Sequence, residues 1–229
     1  MATGIFQLVD GSLTHKLRFE TIANNLANVN SHGFKKDMIS FDKTSKTIQQ
    51  YSHTDFTAGP IVHTGNQFDV GLEGKGFFKV QTAEGVRYTR NGSFITNRSG
   101  ELVTRNGDAV LGRGGAIKIS QGDFSISADG TVRDKTGEIG RLELVNFKEP
   151  QELSKDGRTY FRFDGEDDQI VDAEDVTVKQ NYIETSNVNP TVEMIKMMEA
   201  FRGFEAAQKA IQSLDEMASK MVNDTGLFG

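Results

Sequence analysis

The sequence predicts an α+β chain. Terminal helices, discontinuous in sequence, pair as a coiled-coil-like domain, and an extended arm leads from them to a central all-β domain. Three observations predict this. From Ile5 the apolar or small positions run Ile5, Leu8, Ser12, His15, Phe19, Ile22, Leu26 and Val29, in steps of three or four. From Met194 a second series runs Met194, Met197, Phe201, Phe204, Ala207, Ile211, Leu214, Ala218 and Met221. Such a stripe lies along one side of an α-helix and needs a partner surface. Between the two, short alternating segments are punctuated by glycine, the pattern of β-structure.

The first helix is expected over roughly 3–29, with Thr3 able to cap its start. Polar Ser12 and His15 stand within its stripe, where such residues fix register or partner number. Asn28-Val29-Asn30-Ser31-His32-Gly33 offers turn and left-handed conformations that end it. Residues 34–70 have no clear period: Phe34, Met38, Ile39 and Phe41 precede a polar stretch, Thr44 to Thr57, then Gly59-Pro60. A structureless loop that long is unusual inside a compact domain, so it reads as a connecting arm.

The β pattern runs from Phe68 to about Val178. Expected strands are Phe77–Gln81, Val86–Thr89, Ser93–Thr96, Glu101–Thr104, Ile117–Ile119, Phe124–Ile126, Thr131–Arg133, Leu142–Val145, Thr159–Phe163 and Asp175–Val178. Asn91-Gly92 and Asn106-Gly107 are tight-turn dipeptides, because both residue types tolerate positive φ. Many short strands at this spacing suggest a sandwich or barrel-like domain. The last helix begins at Pro190, with Asn189 as its cap and Glu193 suited to the helix dipole, and runs to about Asn223. The resulting division is a first helix over 1–33, an arm over 34–70, a β domain over 71–182 and a last helix over 183–229.

Composition excludes several functions. The chain has 229 residues, net charge −6, 24 glycines, 3 prolines and no cysteine. Nucleic acid is not an expected partner, because sequence-independent binding needs an excess of Lys and Arg to displace counterions. No stretch approaches the apolar length that spans a bilayer, so no membrane insertion is expected. The first residues lack a basic start and an unbroken apolar core, so the chain reads as cytosolic or as exported without a cleaved leader. Without cysteine there is no disulfide, thiol nucleophile or thiolate metal site.

No ligand-binding or catalytic motif is complete. Gly71, Gly74 and Gly76 resemble a phosphate loop, but a helix N-terminus must follow, and Phe77 to Gln81 reads as a strand. The acidic run from Asp164 to Asp175 lacks the glycine and terminal glutamate of a calcium loop and reads as solvated chain. His15, His32, His53 and His63 show no metal-ligand spacing. No catalytic arrangement emerges, so neither an enzyme nor a cofactor is expected.

Four blocks in order resemble bacterial flagellar rod and hook proteins. They are Ala23-Asn24-Asn25-Leu26-Ala27-Asn28-Val29-Asn30-Ser31-His32-Gly33-Phe34-Lys35, then Thr64-Gly65-Asn66 with Gly76-Phe77-Phe78, then Tyr88-Thr89-Arg90-Asn91-Gly92-Ser93-Phe94, then Ser186-Asn187-Val188-Asn189-Pro190. The resemblance covers nearly the whole chain. It implies an axial structural protein of the basal-body rod whose paired terminal helices form the inner tube of a helical filament. It also implies export, unfolded, through the flagellar type III apparatus. The implied partners are other rod proteins and copies of the chain itself. The chain is too short for the extra outer domain of the hook protein and looks most like the proximal rod member adjoining the distal rod. A distal rod or short hook-type axial protein is the alternative.

The expected assembly interface is Ile5, Leu8, Phe19, Ile22, Leu26, Met194, Met197, Phe201, Phe204, Ile211 and Leu214. Asn24, Asn25, Asn28, Gly33 and Phe34 should shape the exit from the first helix, and Asn187, Asn189 and Pro190 the entry to the last. Gly203 stands mid-helix at a cost of up to about 1 kcal/mol relative to alanine, which marks close packing or a bend. The competing readings are an intramolecular helix bundle, and a ligand-binding or adhesin-like β domain with helical appendages.

Overall fold

The computed structural model describes the backbone of residues 2–42, 49–119 and 123–225, and side chains within 8–40, 51–119, 123–217 and 219–220. The chain divides into two compact units. One takes the described residues of Met1–Ala27, Asp37–His53 and Asn189–Gly229, and the other takes those of Asn28–Lys36 and Thr54–Val188.

The first unit is helical. Helix α1 is Ala2–Ala27 and helix α2 is Pro190–Thr225. Their lengths of 26 and 36 residues correspond to roughly 39 and 54 Å. The Phe19 and Phe201 rings lie 6.4 Å apart, and His15 lies on Gly203, so the two helices pack antiparallel. Alpha-helical periodicity brings Ser12, Ile22 and Asn25 of α1 to buried positions, and Glu193 and Ala200 of α2. Met197, Gly203, Phe204, Ala207, Ile211 and Leu214 are half-buried. Asn189 starts α2: its Oδ1 accepts the Val192 N–H at 3.2 Å and its carbonyl accepts the Glu193 N–H at 3.0 Å.

Residues 34–70 hold more regular structure than their lack of period suggests. Strands Asp37–Asp42 and Gln49–Thr54 pair with each other, and Ile61–His63 pairs with Tyr182–Glu184. Gln49–Thr54 is polar, Ile61–His63 is very short, and the apolar Met38, Ile39 and Phe41 of Asp37–Asp42 form too brief a run to show a period. Their regularity comes from backbone partners, which leave no imprint on hydropathy.

The second unit is β-rich. Among the described residues it contains a ten-stranded antiparallel sheet. Its main path runs Leu153–Asp156, Tyr160–Phe163, Gly85–Thr89, Phe77–Thr82, Ala109–Gly112, Leu102–Thr104, Phe94–Thr96. Strand Leu144–Phe147 joins the side of Phe77–Thr82 through the register Leu144 to Phe78. Ser125–Ile126, Thr131–Asp134 and Gly137–Arg141 form a three-stranded sheet, and Val70–Gly74 pairs with Val176–Gln180. The expected strand at Ile117–Ile119 reduces to one bridge, Glu101 to Lys118. Residues Phe77–Thr82 form a strand, which removes the helix N-terminus that a phosphate loop would need.

Two apolar cores fill this unit. One gathers Val70, Leu72, Phe78, Val80, Phe94, Leu102, Val110, Val132 and neighbours. The other is aromatic, with Phe77, Tyr88, Phe147 and Phe161 buried and Phe56 and Phe163 packed against them. Its rings meet edge-on or tilted at 4.9–5.8 Å, for instance Tyr88 on Phe147 at 4.9 Å and Phe77 on Phe161 at 5.8 Å. That geometry aligns ring edges with ring faces and adds to the gain from burial.

Candidate assembly surface and a buried charge cluster

The helical unit leaves much of its apolar surface uncovered. Ile22 is buried, and Leu8, Phe19 and Leu26 are half-buried on α1; the Ile5 side chain lies outside the described residues. On α2, Met197, Phe204, Ile211 and Leu214 are half-buried, whereas Met194 and Phe201 are 52% and 49% exposed. Burial along the start of α2 thus centres on Glu193 and Ala200, with Met194 and Phe201 about half exposed beside them. Ala200 and Gly203 let the helix backbones approach where larger groups would hold them apart. Lys16, Phe19, Phe201 and Phe204 line a shallow hollow of about 150 Å³. Val9, Leu13, Val192, Ile195, Met198 and Met217 are exposed as well. The first three turns of α2 thus carry apolar groups on several sides, a distribution normal for a helix surrounded by protein.

Within the same unit Asn25 behaves as a peptide group. Its Nδ2 donates to the Asp37 carbonyl at 2.8 Å and its Oδ1 accepts the Asp37 N–H at 2.9 Å. The 2% exposed side chain so satisfies both backbone groups of the first residue of strand Asp37–Asp42. Asn24 is exposed.

The remaining motif residues fall in the β-rich unit. Asn28 is buried, and its carbonyl and Oδ1 accept the Ser31 N–H and Oγ–H at 3.0 and 3.1 Å. Gly33 has φ +66°, and a β-carbon there would stand 2.4 Å from the Arg90 carbonyl carbon. Phe34 is 1% exposed, with Lys155 Nζ 4.2 Å above its ring. Asn187 bridges two strands of chain: its Oδ1 accepts the Lys36 N–H at 2.8 Å and its Nδ2 donates to the Asp55 carbonyl at 2.9 Å.

Beside these motif residues lies a charge cluster not foreseen as a site. Glu184, fully buried, accepts Lys35 Nζ at 2.7 Å on Oε1 and Arg90 Nε at 2.7 Å on Oε2. The Gly59 N–H also donates to Oε1, at 2.8 Å. Lys35 Nζ donates further to the Thr57 carbonyl at 2.6 Å. Arg90 reaches the carbonyls of Gly76, Gly74 and Leu72 at 2.6, 2.9 and 3.3 Å. Burial pushes both cations below their ordinary pKa values, and the Glu184 charge opposes that shift. Backbone bonds frame the cluster: Gly33 N–H to the Glu184 carbonyl, Thr185 N–H to the Pro60 carbonyl and Asn187 N–H to the Phe34 carbonyl. Its one signal in the sequence was the isolated charges inside the motif blocks, Lys35 after Phe34 and Arg90 after Thr89.

A polar hollow of about 330 Å³ lies elsewhere in this unit, lined by Arg113, Arg141, Asp129 and Asp172 among others. Its arginines are turned to its own acids, with Arg113 on Asp172 at 2.6 Å and Arg141 Nε on the Asp129 carbonyl at 2.9 Å.

Residues 179–224 match the family model for the C-terminal region of flagellar basal body rod FlgEFG proteins. Residues 71–134 match that for the D1 domain of flagellar hook protein FlgE/F/G. The flagellar basal-body rod protein FlgF of Caulobacter vibrioides is 32% identical over 249 residues, covering 99% of each chain. The chain belongs to the flagellar basal-body rod protein family. FlgG of Bacillus subtilis is 31% identical over 261 residues, covering 97% of this chain and 99% of its own. The Bacillus subtilis flagellar hook-basal body complex protein FlhO is 28% identical over 272 residues. As a member of the rod family the chain is a structural component of the flagellum, located in the basal-body rod.

Proposed function

We propose that this rod protein polymerises with other rod proteins and copies of itself through a coiled-coil-like pairing of its terminal helices. The product is the helical drive shaft, and the subunit reaches it through the flagellar type III export apparatus. The observation that carries the reading is the uncovered apolar surface of the helical unit. Eight of the twelve large apolar side chains exposed among the described residues sit on α1 and α2. An apolar concentration of this kind marks an interaction surface, and each such side chain contributes about 1.5–3 kcal/mol when fully buried. Within the rod family we assign the chain to the proximal member adjoining the distal rod, on its brevity and its Leu214–Asn223 segment, with the distal rod protein as the alternative.

Phe201→Asp tests the assembly reading. The ring is half exposed in the single chain, so the β-rich unit should fold as before. The charge should prevent growth of oligomers in sedimentation and incorporation into isolated basal bodies. A variant that sediments and incorporates like the parent would remove the terminal helices from the interface.

A further inference from the structure

The Glu184 cluster has an unusual electrical arrangement: two buried cations share one buried anion. Removing one partner of a buried ion pair costs far more than the pair contributes, because the remaining charge stays buried without compensation. Here that penalty is concentrated on one side chain. Without Glu184 both cations lose their counter-charge, and the Gly59 N–H loses its acceptor. The two cations are not equally held. Arg90 keeps three carbonyls of the 72–76 segment, whereas Lys35 keeps one, that of Thr57. The weak side of the cluster is therefore the side that carries residues 33–36, 57–60 and 184–187.

Those three segments are also joined to one another by the backbone. Gly33 donates to Glu184 at 2.8 Å, Thr185 to Pro60 at 2.8 Å and Asn187 to Phe34 at 3.4 Å. Asn187 Oδ1 and Nδ2 tie Lys36 to Asp55. The two partners of the Lys35–Glu184 pair stand 149 residues apart, so the pair joins segments that are distant along the chain.

We propose that Glu184 is the fastener of a latch: segments 33–36, 57–63 and 182–187 open and close as one cooperative unit while the main sheet stays intact. The residues that follow α1 and those that precede α2 are then released together or held together. Cooperative sub-global units of this sort open at a free energy below that of global unfolding. The inference rests on the β-rich unit alone and stands apart from the assembly reading.

Hydrogen exchange on the full chain tests it, comparing the parent with Glu184→Gln at one pH. Amides of Gly33, Gly59, Thr185 and Asn187 should lose protection together, by roughly 100-fold or more. Amides of strand Phe77–Thr82 should keep theirs. Lys35→Met is the second arm, since it leaves Glu184 and Arg90 as a balanced pair. It should speed the same four amides together by roughly tenfold, again sparing the main sheet. Four amides that change independently or not at all in Lys35→Met, or equal losses there in the latch and the sheet, overturn the proposal whether or not Glu184→Gln folds.

Discussion

The His15 ring occupies the space that a Gly203 side chain would need. A β-carbon on Gly203 would lie 2.4 Å from His15 Cε1 and 2.6 Å from Nδ1. The glycine in the middle of α2 is thus the hole for a knob on α1. Among the described residues His15 Nδ1 is buried there without a hydrogen-bond partner, so packing rather than polarity accounts for the ring's position.

Gly203→Ala should therefore destabilise the helical unit. Alanine gains up to about 1 kcal/mol in helix propensity. Displacing a packed ring costs about 1–3 kcal/mol, so a net loss near 1 kcal/mol is expected. With His15→Ala in place the clash is gone, and the same substitution should stabilise by about 1 kcal/mol. Urea denaturation followed by far-UV circular dichroism over the four-variant cycle checks the change of sign. Additive effects would remove the ring from the argument.

Asn25→Ala should loosen the strand that begins at Asp37. The substitution leaves the Asp37 N–H and carbonyl without their side-chain partners. An unsatisfied buried group costs about 1–3 kcal/mol. Asn25→Asp should not rescue it, since a carboxylate keeps the acceptor and places a second acceptor against the carbonyl. The Asp37 amide exchange rate is the measurement, and a rate equal to the parent's would count against the pairing.

The helices were legible because their apolar period persists over many turns. Structure moves the end of α1 only from Val29 to Ala27 and that of α2 from Asn223 to Thr225. Strands between Phe77 and Thr104 were legible for a similar reason, as alternation, with Gly100 at φ +76° in the turn that separates the last two; Asn91-Gly92, expected as a tight turn, is none, since Gly92 lacks a positive φ and the strands on either side of it do not pair. Gln49–Thr54 was not, because Gln49-Gln50-Tyr51-Ser52-His53-Thr54 is polar throughout. Ile61–His63 finds its partner at Tyr182–Glu184, far along the chain. The charge cluster was hidden for the same reason: Glu184 meets Arg90 across 94 residues, and no local pattern marks such a pair. The motif asparagines were visible through the family resemblance. The roles of Asn25 and Asn187 depended on which backbone groups they satisfy.

Two Asn-Gly dipeptides that look alike in sequence should respond differently to alanine. Gly107 has φ +95° with open space around it, so Gly107→Ala should cost only the backbone strain, about 1–2 kcal/mol. Gly92 is needed for a different reason. Its β-carbon would stand 1.7 Å from the Val70 carbonyl oxygen, while its own carbonyl accepts the Val70 N–H at 2.9 Å. Backbone cannot give way cheaply, so Gly92→Ala should cost more than about 4 kcal/mol and leave no folded β-rich unit. Thermal melts of the two variants decide it, and equal melting temperatures would contradict the contrast.

Tyr160 should make the β-rich unit sensitive to strong alkali. Its hydroxyl donates to Asp108 Oδ2 at 2.6 Å, with Thr104 Oγ1 2.9 Å away. Burial, and then the bond to Asp108, push its pKa from 10.0 up to about 12. The unfolded chain therefore releases this proton first as pH rises, and between those values it binds fewer protons than the folded chain. Stability from this group is fully present below pH 10.0 and is lost as pH climbs to about 12. Lysines titrate in the same range, so the contrast with Tyr160→Phe isolates the hydroxyl. Urea midpoints across that window should fall more steeply for the parent than for the variant. Parallel curves would mean that the Asp108 bond does not hold the proton on Tyr160.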